Sequence, residues 1–379
     1  MKKCIVCGEE LTNEPLITFE NMPSSAQNIP TIDEIENDKG ITLNLHQCIK
    51  CGLIQFDCEP VDYFRDVIRS GGYSTTMTEL RRKQYSYLID KYHLEGKKFL
   101  EVGCGQGEFL SVLTEFPVEV YGIENKSDLV ELAQEKKLNV KKDFMENENS
   151  KIEGAPFDVF LSFNFLEHQP KPNDMLNGIY NNLSENGMGL ITVPSFEYIL
   201  ENDGYYELIR DHIAYYTFDT LRFLLEKNGF LVLEEEIINR DTLSIIVKKR
   251  PQINISNIIN SYSKITSQVN DYINQKNQEG KHVAIWGASH QGFTIASTAS
   301  LKDKVDFIID SAPFKQGKYS PSSHIPIISP EEAMKEDMDS IIIIAPGYVD
   351  EIANIIKNDF DSKIEIMTLM TNELQKYEE

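Results

Sequence analysis

The glycine-rich segment at residues 103–107 constrains the fold of this chain more than any other feature. An apolar run at 99–102 leads into Gly103-Cys104-Gly105-Gln106-Gly107, and a helical pattern follows. A strand, a glycine turn and a helix in this order are typical of a unit whose backbone approaches a ligand, because glycine has no obstructing side chain. A second apolar strand ends in Glu124, whose carboxylate can accept hydrogen bonds from two ribose hydroxyls. The sequence therefore predicts a nucleoside site.

The middle of the chain continues this alternation of strands and helices. Strands are predicted at 98–102, 118–123, 140–142, 157–163 and 189–193, with a turn at 186–189 before the fifth. A helix is predicted at 217–228, and the strands at 230–235 and 243–248 should form an antiparallel pair. The pattern predicts an α/β fold with a doubly wound sheet and an antiparallel last strand.

Four of the six cysteines form two matched pairs near the N-terminus. Cys4 and Cys7 lie in one C-x-x-C-G sequence, and Cys48 and Cys51 lie in another. Each sequence places two thiolates on a tight turn, and two such turns make a tetrahedral site for a structural zinc ion. Reduced pairs without metal, or a redox pair, are the alternatives. His46 could compete as a ligand, although four cysteines already suffice.

With 379 residues the chain should form two or three domains. We expect a zinc-binding module at 1–60, a nucleoside-binding domain at 61–250 and an α/β domain at 251–379. Residues 61–95 read as a helical lead-in, broken at 70–76 by two glycines, Tyr73 and three hydroxyl side chains. This break is either a lid or substrate wall, or a helix–helix turn capped by Ser74 or Thr75. Arg81, Arg82 and Gln84 on the following helix could form a solvent-exposed face.

Composition limits the partners of the protein. Its formal net charge is -23, with 60 acidic and 37 basic residues. Such a surface repels phosphate backbones and anionic lipids, so we expect a small-molecule substrate rather than nucleic acid or membrane. The sequence shows neither a signal peptide nor an apolar run of membrane-spanning length, and a cytoplasmic location is expected.

Two histidines follow predicted strands at the edge where α/β sheets bind ligands. His168 follows the fourth strand and His212 follows the fifth. Imidazole titrates closest to neutral pH and can act as a general base, and Asp211 could orient His212 or raise its pKa. For His168 a role in shaping the pocket is favoured. For His212, a base and a structural histidine are equally compatible with the residues alone.

The segment from Glu101 to Gly107 resembles the first motif of class I S-adenosylmethionine-dependent methyltransferases. Dinucleotide-binding folds space their glycines differently, as G-x-G-x-x-G. The resemblance implies that the cofactor is S-adenosylmethionine, with Glu124 on the ribose, Asp143 and Phe144 beside the adenine, and Asn164 near the methionine end. The implied cofactor-binding residues are Glu101, Gly103, Cys104, Gly105, Gly107, Glu124, Asn125, Asp143, Phe144 and Asn164. A glycine turn without ligand and a dinucleotide fold are the alternatives.

The whole chain resembles the nucleotide-sugar C-methyltransferases, which combine a zinc module, a methyltransferase domain and a C-terminal Rossmann-like α/β domain. His212-Ile-Ala-Tyr215-Tyr216 is similar to the family's His-x-x-Tyr-Phe motif, whose histidine is the proposed base that deprotonates C-3 of a 4-keto deoxysugar. His168 matches a second histidine of the sugar pocket. The C-terminal segments 281–292, 315–318 and 323–326 also resemble the family. The implied catalytic residues are His212, Asp211, His168 and Tyr73.

Several positions depart from that family. Ile209 and Asp211 stand where a tyrosine and a glutamate precede the base, and Gln291 stands where the C-terminal turn carries lysine. These differences fall on the acceptor side, so methyl transfer is predicted more firmly than the acceptor. O- or N-methylation of another small molecule and a non-catalytic cofactor-binding protein are the alternatives. A second nucleotide at Asp310 is disfavoured because its turn lacks one fingerprint glycine, and a monomer or a homodimer is expected.

Overall fold

The computed structural model describes residues 3–65 and 74–378. The chain divides into two compact units, Met1–Pro251 and Gln252–Glu379. The predicted module at 1–60 and the predicted domain at 61–250 both lie in the first unit. Among the described residues, no helix is both long enough and apolar enough to cross a membrane.

The first unit is built from short strands and helices that alternate along the chain. Its strands are β1 (Ile17–Met22), β2 (Ile41–Gln47), β3 (Ile54–Phe56), β4 (Lys98–Val102), β5 (Glu119–Glu124), β6 (Val140–Lys142), β7 (Phe157–Phe163), β8 (Leu183–Pro194), β9 (Ala214–Tyr215), β10 (Phe230–Ile238) and β11 (Thr242–Lys249). Its helices are α1 (Thr75–Tyr92), α2 (Glu108–Leu113), α3 (Ser127–Glu135), α4 (Pro172–Asn182), α5 (Phe196–Glu201) and α6 (Phe218–Lys227).

Seven strands form the central sheet of this unit in the order β10-β11-β8-β7-β4-β5-β6. Strands β4 to β8 run parallel within it, and β11 runs antiparallel between β8 and β10. The predicted class I methyltransferase fold, with its doubly wound sheet and antiparallel last strand, is confirmed. Because the strands are parallel, the carboxyl ends of β4, β5, β7 and β8 meet at one edge, where ligands bind in such sheets.

The turn predicted at 186–189 is wrong. Leu183–Pro194 form one strand, β8, whose pairing with β7 shifts register between the pairs Phe157–Leu183 and Val159–Met188. The extra residues on β8 form a bulge, which accommodates the glycines without ending the strand.

Helix α1 begins at Thr75, within the break predicted at 70–76. Its N-cap is Ser74, one of the two caps considered, which accepts a hydrogen bond from the Met77 backbone N–H. Residues 62–65, predicted to be helical, form a turn. The prediction of a solvent-exposed face on this helix is wrong for two of its three residues. Arg81 is fully buried and Gln84 is 8% exposed. Arg81 lies four residues before the buried Tyr85 and therefore shares its face.

The N-terminal region is joined to the central domain by a sheet and by hydrogen bonds. Strands β1, β2, β3 and β9 form a four-stranded sheet, and β9 comes from the segment that follows His212. The side-chain amide of Asn173, on α4, donates to the carbonyls of Ile5 and Val6 at 3.0 and 2.9 Å. Cys4 and Cys48 belong to the same apolar cluster as Leu100 and Phe160.

The second unit contains another sheet, parallel in its five central strands and antiparallel at both edges. Its strands are β12 (Val283–Trp286), β13 (Ile308–Ile309), β14 (Lys318–Tyr319), β15 (Pro326–Ile328), β16 (Ser340–Ile343), β17 (Glu365–Thr368) and β18 (Gln375–Lys376), and its helices are α7 (Ser256–Gln278), α8 (His290–Thr298), α9 (Pro330–Ala333) and α10 (Val349–Asp359). The sheet order is β14-β15-β13-β12-β16-β17-β18, with β12 parallel to both β13 and β16.

Asp310 directly follows β13 and is already engaged within the second unit. Its carboxylate accepts hydrogen bonds from the backbone N–H groups of Ala288 and Ala312, both at 2.9 Å. The Lys315 ammonium donates to the same group at 2.8 Å. The ion pair with Lys315 reduces the capacity of this carboxylate to accept hydrogen bonds from a ribose.

Candidate active site

The glycine loop connects β4 to α2 in a conformation that requires glycine. The backbone N–H groups of Gly103 and Cys104 both donate to the Ile123 carbonyl, at 3.0 and 3.1 Å. Gly107 has a left-handed φ of 79°, and a Cβ atom there would lie 2.2 Å from the Leu138 side chain. The loop is therefore held against the end of β5, with its backbone accessible from the carboxyl edge.

The Glu124 carboxylate lies against this loop. It accepts hydrogen bonds from the Gly105 backbone N–H at 2.9 Å and from the Lys126 backbone N–H at 3.0 Å. A narrow cleft beside it, with no room for a water molecule, is lined by Glu124, Asn125, Asp143 and Phe144. Arg65 also lines it, with its guanidinium carbon 5.0 Å from the centroid of the Phe144 ring. The structure thus brings together the residues predicted to hold the ribose and the adenine.

Two predicted cofactor residues have buried side chains that line neither cleft. Glu101 is fully buried in β4. The Cys104 thiol is also buried, in an apolar cluster with Leu110, Val130 and Leu138. Cys104 can therefore face a ligand only through its backbone.

A larger cleft of about 450 Å³ joins the glycine loop to the histidines. Gly103, Gly105, Asn164, His168 and His212 all line it. Its volume lies within the range of small-molecule sites in proteins. Residues predicted for the methionine end of the cofactor and for acid–base chemistry therefore share one cavity.

His168 is held in one tautomer by the backbone. Its Nδ1 lies 2.7 Å from the Asp211 carbonyl, which can only accept, so Nδ1 carries the proton and Nε2 is left bare. Nε2 lies 3.8 Å from Glu167 Oε1. Burial lowers the pKa of His168 to about 4, and the ring is therefore neutral at physiological pH.

His212 packs edge-on against His168, with ring centroids 4.8 Å apart. Burial, and secondarily the neighbouring His168, lower the pKa of His212 to about 3. Among the described residues, none forms a hydrogen bond with its imidazole ring. The ring is thus neutral and can accept a proton from a ligand in the cleft.

The expectation that Asp211 orients His212 or raises its pKa is wrong. The Asp211 carboxylate accepts from the Tyr63 hydroxyl at 2.5 Å and from the Ala26 backbone N–H at 2.9 Å. Its backbone carbonyl contacts His168, and its negative charge opposes, without outweighing, the lowering of the His168 pKa by burial. Asp211 therefore supports the site indirectly, because the N-terminal region folds against its side chain.

The sequence did not reveal that the N-terminal region forms part of the cleft wall. Ala26 and Gln27 line the cleft. The Arg210 guanidinium donates to the carbonyls of Ser24, Glu59 and Pro60 at 3.1 to 3.2 Å. The adjacent charged residues Arg210 and Asp211 could have indicated a contact with another segment. The sequence does not show which segment, because their backbone partners lie far away along the chain. Tyr73, another predicted catalytic residue, lies outside the described residues.

The four paired cysteines gather at one point. Cys4 Sγ lies 3.5 Å from Cys51 Sγ, and Cys7 Sγ lies 3.4 Å from Cys48 Sγ. All four sulfur atoms lie within 4.8 Å of one another. Four sulfurs at the usual ~2.3 Å from a tetrahedral zinc ion would be roughly 3.8 Å apart, so the cluster has the size of such a site.

The two cysteine turns have the same backbone structure. Gly8 N–H donates to the Cys4 carbonyl and Gly52 N–H donates to the Cys48 carbonyl, at 2.9 and 2.8 Å. Both glycines are left-handed, with φ of 82° and 81°. His46 is not part of the cluster, because its Nε2 pairs with the buried Asp57 carboxylate at 3.1 Å.

Comparisons with known proteins agree with this geometry. A family model described as a methyltransferase domain matches residues 75–235, and one described as a C-methyltransferase C-terminal domain matches residues 256–368. The protein is an S-adenosylmethionine-dependent methyltransferase.

Individual relatives are distant. The C-methyltransferase NovU of Streptomyces niveus is 22% identical, over 92% of this chain and 91% of its own. A ubiquinone biosynthesis O-methyltransferase of Coxiella burnetii is 28% identical over 24% of this chain and 40% of its own. The solved plantazolicin methyltransferase BpumL, at 14% identity, covers 48% of this chain and 88% of its own with a TM-score of 0.39. The C-terminal model and the near full-length relative support a C-methyltransferase.

Proposed function

We propose that this protein methylates a carbon atom of a nucleotide-linked 4-keto deoxysugar, with His212 as the general base. The observation that carries the proposal is a neutral His212 in the same cleft as the glycine loop. The relative named C-methyltransferase NovU supports carbon as the acceptor atom. The sugar is inferred from the similarity of the segment 212–216 to the motif of the nucleotide-sugar enzymes.

The residues around the two clefts fit S-adenosylmethionine. Glu124 and Asn125 would hold the ribose, and Asp143 and Phe144 would flank the adenine. The glycine loop and Asn164 would contact the methionine end. When bound, the cofactor supplies an electrophilic methyl group on a sulfonium.

The acceptor carbon must lose a proton before it can take the methyl group. The His212 imidazole accepts this proton, and the electrons of the C–H bond form an enolate with the neighbouring ketone. A pKa of about 3 keeps the base unprotonated before the reaction. The same low pKa makes it a weak base, so the negative charge developing on the enolate has to stabilise the imidazolium as it forms.

Two features of the described residues shape the acceptor side. The segment at 24–27, fixed by Arg210 and Asp211, closes part of the cleft. Ile209 also lines the cleft, where the resembled family has tyrosine. An apolar side chain in place of a phenol removes one hydrogen-bonding group, so we propose that the preferred sugar differs in the substituent that faces Ile209.

The test of this function separates deprotonation from methyl transfer. The enzyme is incubated in deuterated water with S-adenosylhomocysteine and a panel of nucleotide 4-keto sugars. We expect deuterium to enter the carbon beside the ketone, because the enolate forms and is reprotonated by solvent. With S-adenosylmethionine the same sugar should gain one methyl group on that carbon, as mass spectrometry and NMR would show.

His212→Ala should lower both exchange and methyl transfer at least about a hundredfold while cofactor affinity stays unchanged. His93→Asn is the matched control, because His93 is exposed at the end of α1 and adopts a left-handed φ that asparagine tolerates. Methylation of oxygen or nitrogen, without exchange at carbon, would contradict the carbon acceptor. Normal turnover in the His212 variant would contradict the base.

We also propose that Cys4, Cys7, Cys48 and Cys51 bind one structural zinc ion. Four thiolates complete the coordination shell and leave no position for substrate. The spacing of the sulfurs and the matched turns support this proposal. Elemental analysis should find one zinc per chain in the purified protein, and far less than one would contradict it.

A further inference from the structure

Arg81 is a fully buried cation beside the cleft. It lies on α1, with its guanidinium carbon 3.8 Å from the centroid of the Phe163 ring and 4.9 Å from that of Phe109. Both rings also line the cleft. A buried guanidinium is retained only where hydrogen bonds offset its loss of water, so the acceptors of its N–H groups indicate what it does.

One series of hydrogen bonds runs from Arg81 to the cleft. Arg81 Nη2 donates to Thr192 Oγ1 at 3.2 Å. The Thr192 hydroxyl then donates to Asn164 Oδ1 at 3.0 Å. The Asn164 backbone N–H donates to the Thr192 carbonyl at 2.8 Å, so Thr192 holds both the backbone and the side chain of Asn164.

A second series runs from Arg81 in the opposite direction. Arg81 Nη1 donates to Gln84 Oε1 at 2.5 Å, and Gln84 Nε2 donates to Ser244 Oγ at 3.0 Å. The Ser244 hydroxyl lies 3.4 Å from Glu236 Oε1, on the exposed edge strand β10. This series ends at the surface and does not reach the cleft.

The chemistry of arginine fixes the direction of the first bond in this series. A guanidinium can donate but cannot accept, so Thr192 Oγ1 accepts from Arg81. The Thr192 hydrogen is then available for Asn164, and the Thr192 hydroxyl donates it to Oδ1. The amide oxygen of Asn164 is thus turned toward Thr192, and its NH₂ group is turned away. This orientation gives the Thr192 hydroxyl both an acceptor contact from Arg81 and a donor contact to Asn164.

We propose that Arg81 and Thr192 are positioning residues. They orient the Asn164 side chain so that its NH₂ group can donate to the α-carboxylate of the bound methyl donor. Asn164 lines the cleft and precedes Phe165, whose ring lies about 3.1 Å from where a Cβ of Gly103 would be. Asn164 therefore shares the cleft with the glycine loop, where the methionine end would lie. Asn164 also has a left-handed φ of 48°, which asparagine tolerates better than most residues.

This inference rests on the assignment of S-adenosylmethionine to the cleft, and it requires neither a sugar acceptor nor a base. Thr192→Val is the test, because valine keeps the shape of threonine and removes the hydroxyl. Without that donor, the amide can reverse and turn its oxygen toward the carboxylate. We expect about tenfold weaker binding of S-adenosylmethionine and S-adenosylhomocysteine by titration calorimetry.

Three comparisons separate positioning from a general loss of structure. Thr192→Ser keeps the hydroxyl and should restore affinity to within about twofold of the wild type. Decarboxylated S-adenosylmethionine should bind the wild type and Thr192→Val equally. Ser244→Ala is the matched control, because it removes a buried hydroxyl from the second series and should leave cofactor affinity unchanged.

Two outcomes would overturn the proposal. One is normal S-adenosylmethionine binding by a folded Thr192→Val protein, and the other is an equal loss of affinity for the decarboxylated analogue. A wild-type protein that binds neither cofactor nor product would instead overturn the cofactor assignment itself, and this inference with it.

Discussion

The central sheets of the two units each have an acidic residue at the end of the second strand. The two acids differ in their surroundings. In each sheet a first strand, β4 or β12, leads into a glycine-containing turn, and a carboxylate stands at the end of the next strand. Glu124 accepts from the Gly105 N–H and Asp310 accepts from the Ala288 N–H, both at 2.9 Å. In both units the acid therefore stabilises the turn.

The surroundings of the two acids differ. Both acids border a cavity, Glu124 with Asn125 and Phe144, and Asp310 with Gly287 and Tyr348. The difference is that Asp310 is paired with the Lys315 ammonium at 2.8 Å. A carboxylate paired with a cation has less capacity to accept from a ribose diol. The comparison shows that strand order and turn do not define a nucleoside site by themselves, because the partners of the acid decide its use.

Removal of the proposed zinc ion should produce the largest difference in stability between the two units. Cys4 and Cys48 are buried in the main cluster of the first unit, so losing the proposed zinc ion leaves that unit without several kcal/mol of stabilisation. A strong chelator, or Cys48→Ser, should greatly lower the temperature at which the first unit unfolds. The single tryptophan, Trp286, is buried in the second unit, so its fluorescence reports the unfolding of that unit. The unfolding temperature that it reports should stay the same after metal removal.

Cys58→Ser is the control for this experiment, because Cys58 lies in the first unit outside the metal cluster. Its circular dichroism melting curve should match that of the wild type. An unchanged melting curve after complete metal removal would contradict a structural role for the ion.

Much of the fold could be predicted from the sequence, because its signals are local. Apolar runs, the glycine turn and the antiparallel end of the sheet together predicted the class of fold. The N-cap at Ser74 was recognised as one possibility for the same reason. The turn expected at 186–189 became a bulge because pairing with β7 outweighed the local preference of the glycines.

The site was harder to predict, because its contacts join distant segments. Asp211 was assigned to His212 on adjacency alone, yet its carboxylate binds Tyr63 and the Ala26 backbone. Arg81 was assigned to the solvent, although its spacing from Tyr85 placed it on the buried face of α1. A charged residue on an apolar face is informative only once its partners, here Thr192 and Gln84, are known.

Matched substitutions of the two acids should sharpen the comparison. Glu124→Gln keeps one oxygen for the Gly105 N–H but loses the charge that a ribose diol prefers. We expect its affinity for S-adenosylmethionine to fall at least about tenfold, as for a lost hydrogen bond to a charged group. Asp310→Asn should leave that affinity unchanged and destabilise only the second unit, which Trp286 fluorescence would report. Equal losses of affinity in both variants would contradict the different roles of the acids.

Acid should weaken the first unit more than the second. His168 and His212 have folded-state pKa values of about 4 and 3, below the ~6.5 of an unfolded histidine. The folded state therefore favours the neutral rings, and the stability this provides is complete above pH ~6.5 and is lost as the pH falls toward the folded values. Between pH 7 and 5.5 each histidine should lower the free energy of unfolding by about 1 kcal/mol.

The second unit supplies the internal reference for this last experiment. Its histidines are exposed, namely His282, His290 and His324. The free energy of unfolding of this unit should therefore not depend on pH through a buried histidine. Denaturant unfolding, followed by circular dichroism for the whole chain and by Trp286 fluorescence for the second unit, should show a pH dependence concentrated in the first. Replacing His212 with asparagine should remove about half of that dependence, because His168 remains buried and neutral. A pH dependence that survives replacement of both histidines would show that other groups, and not the neutral imidazoles of the cleft, cause it.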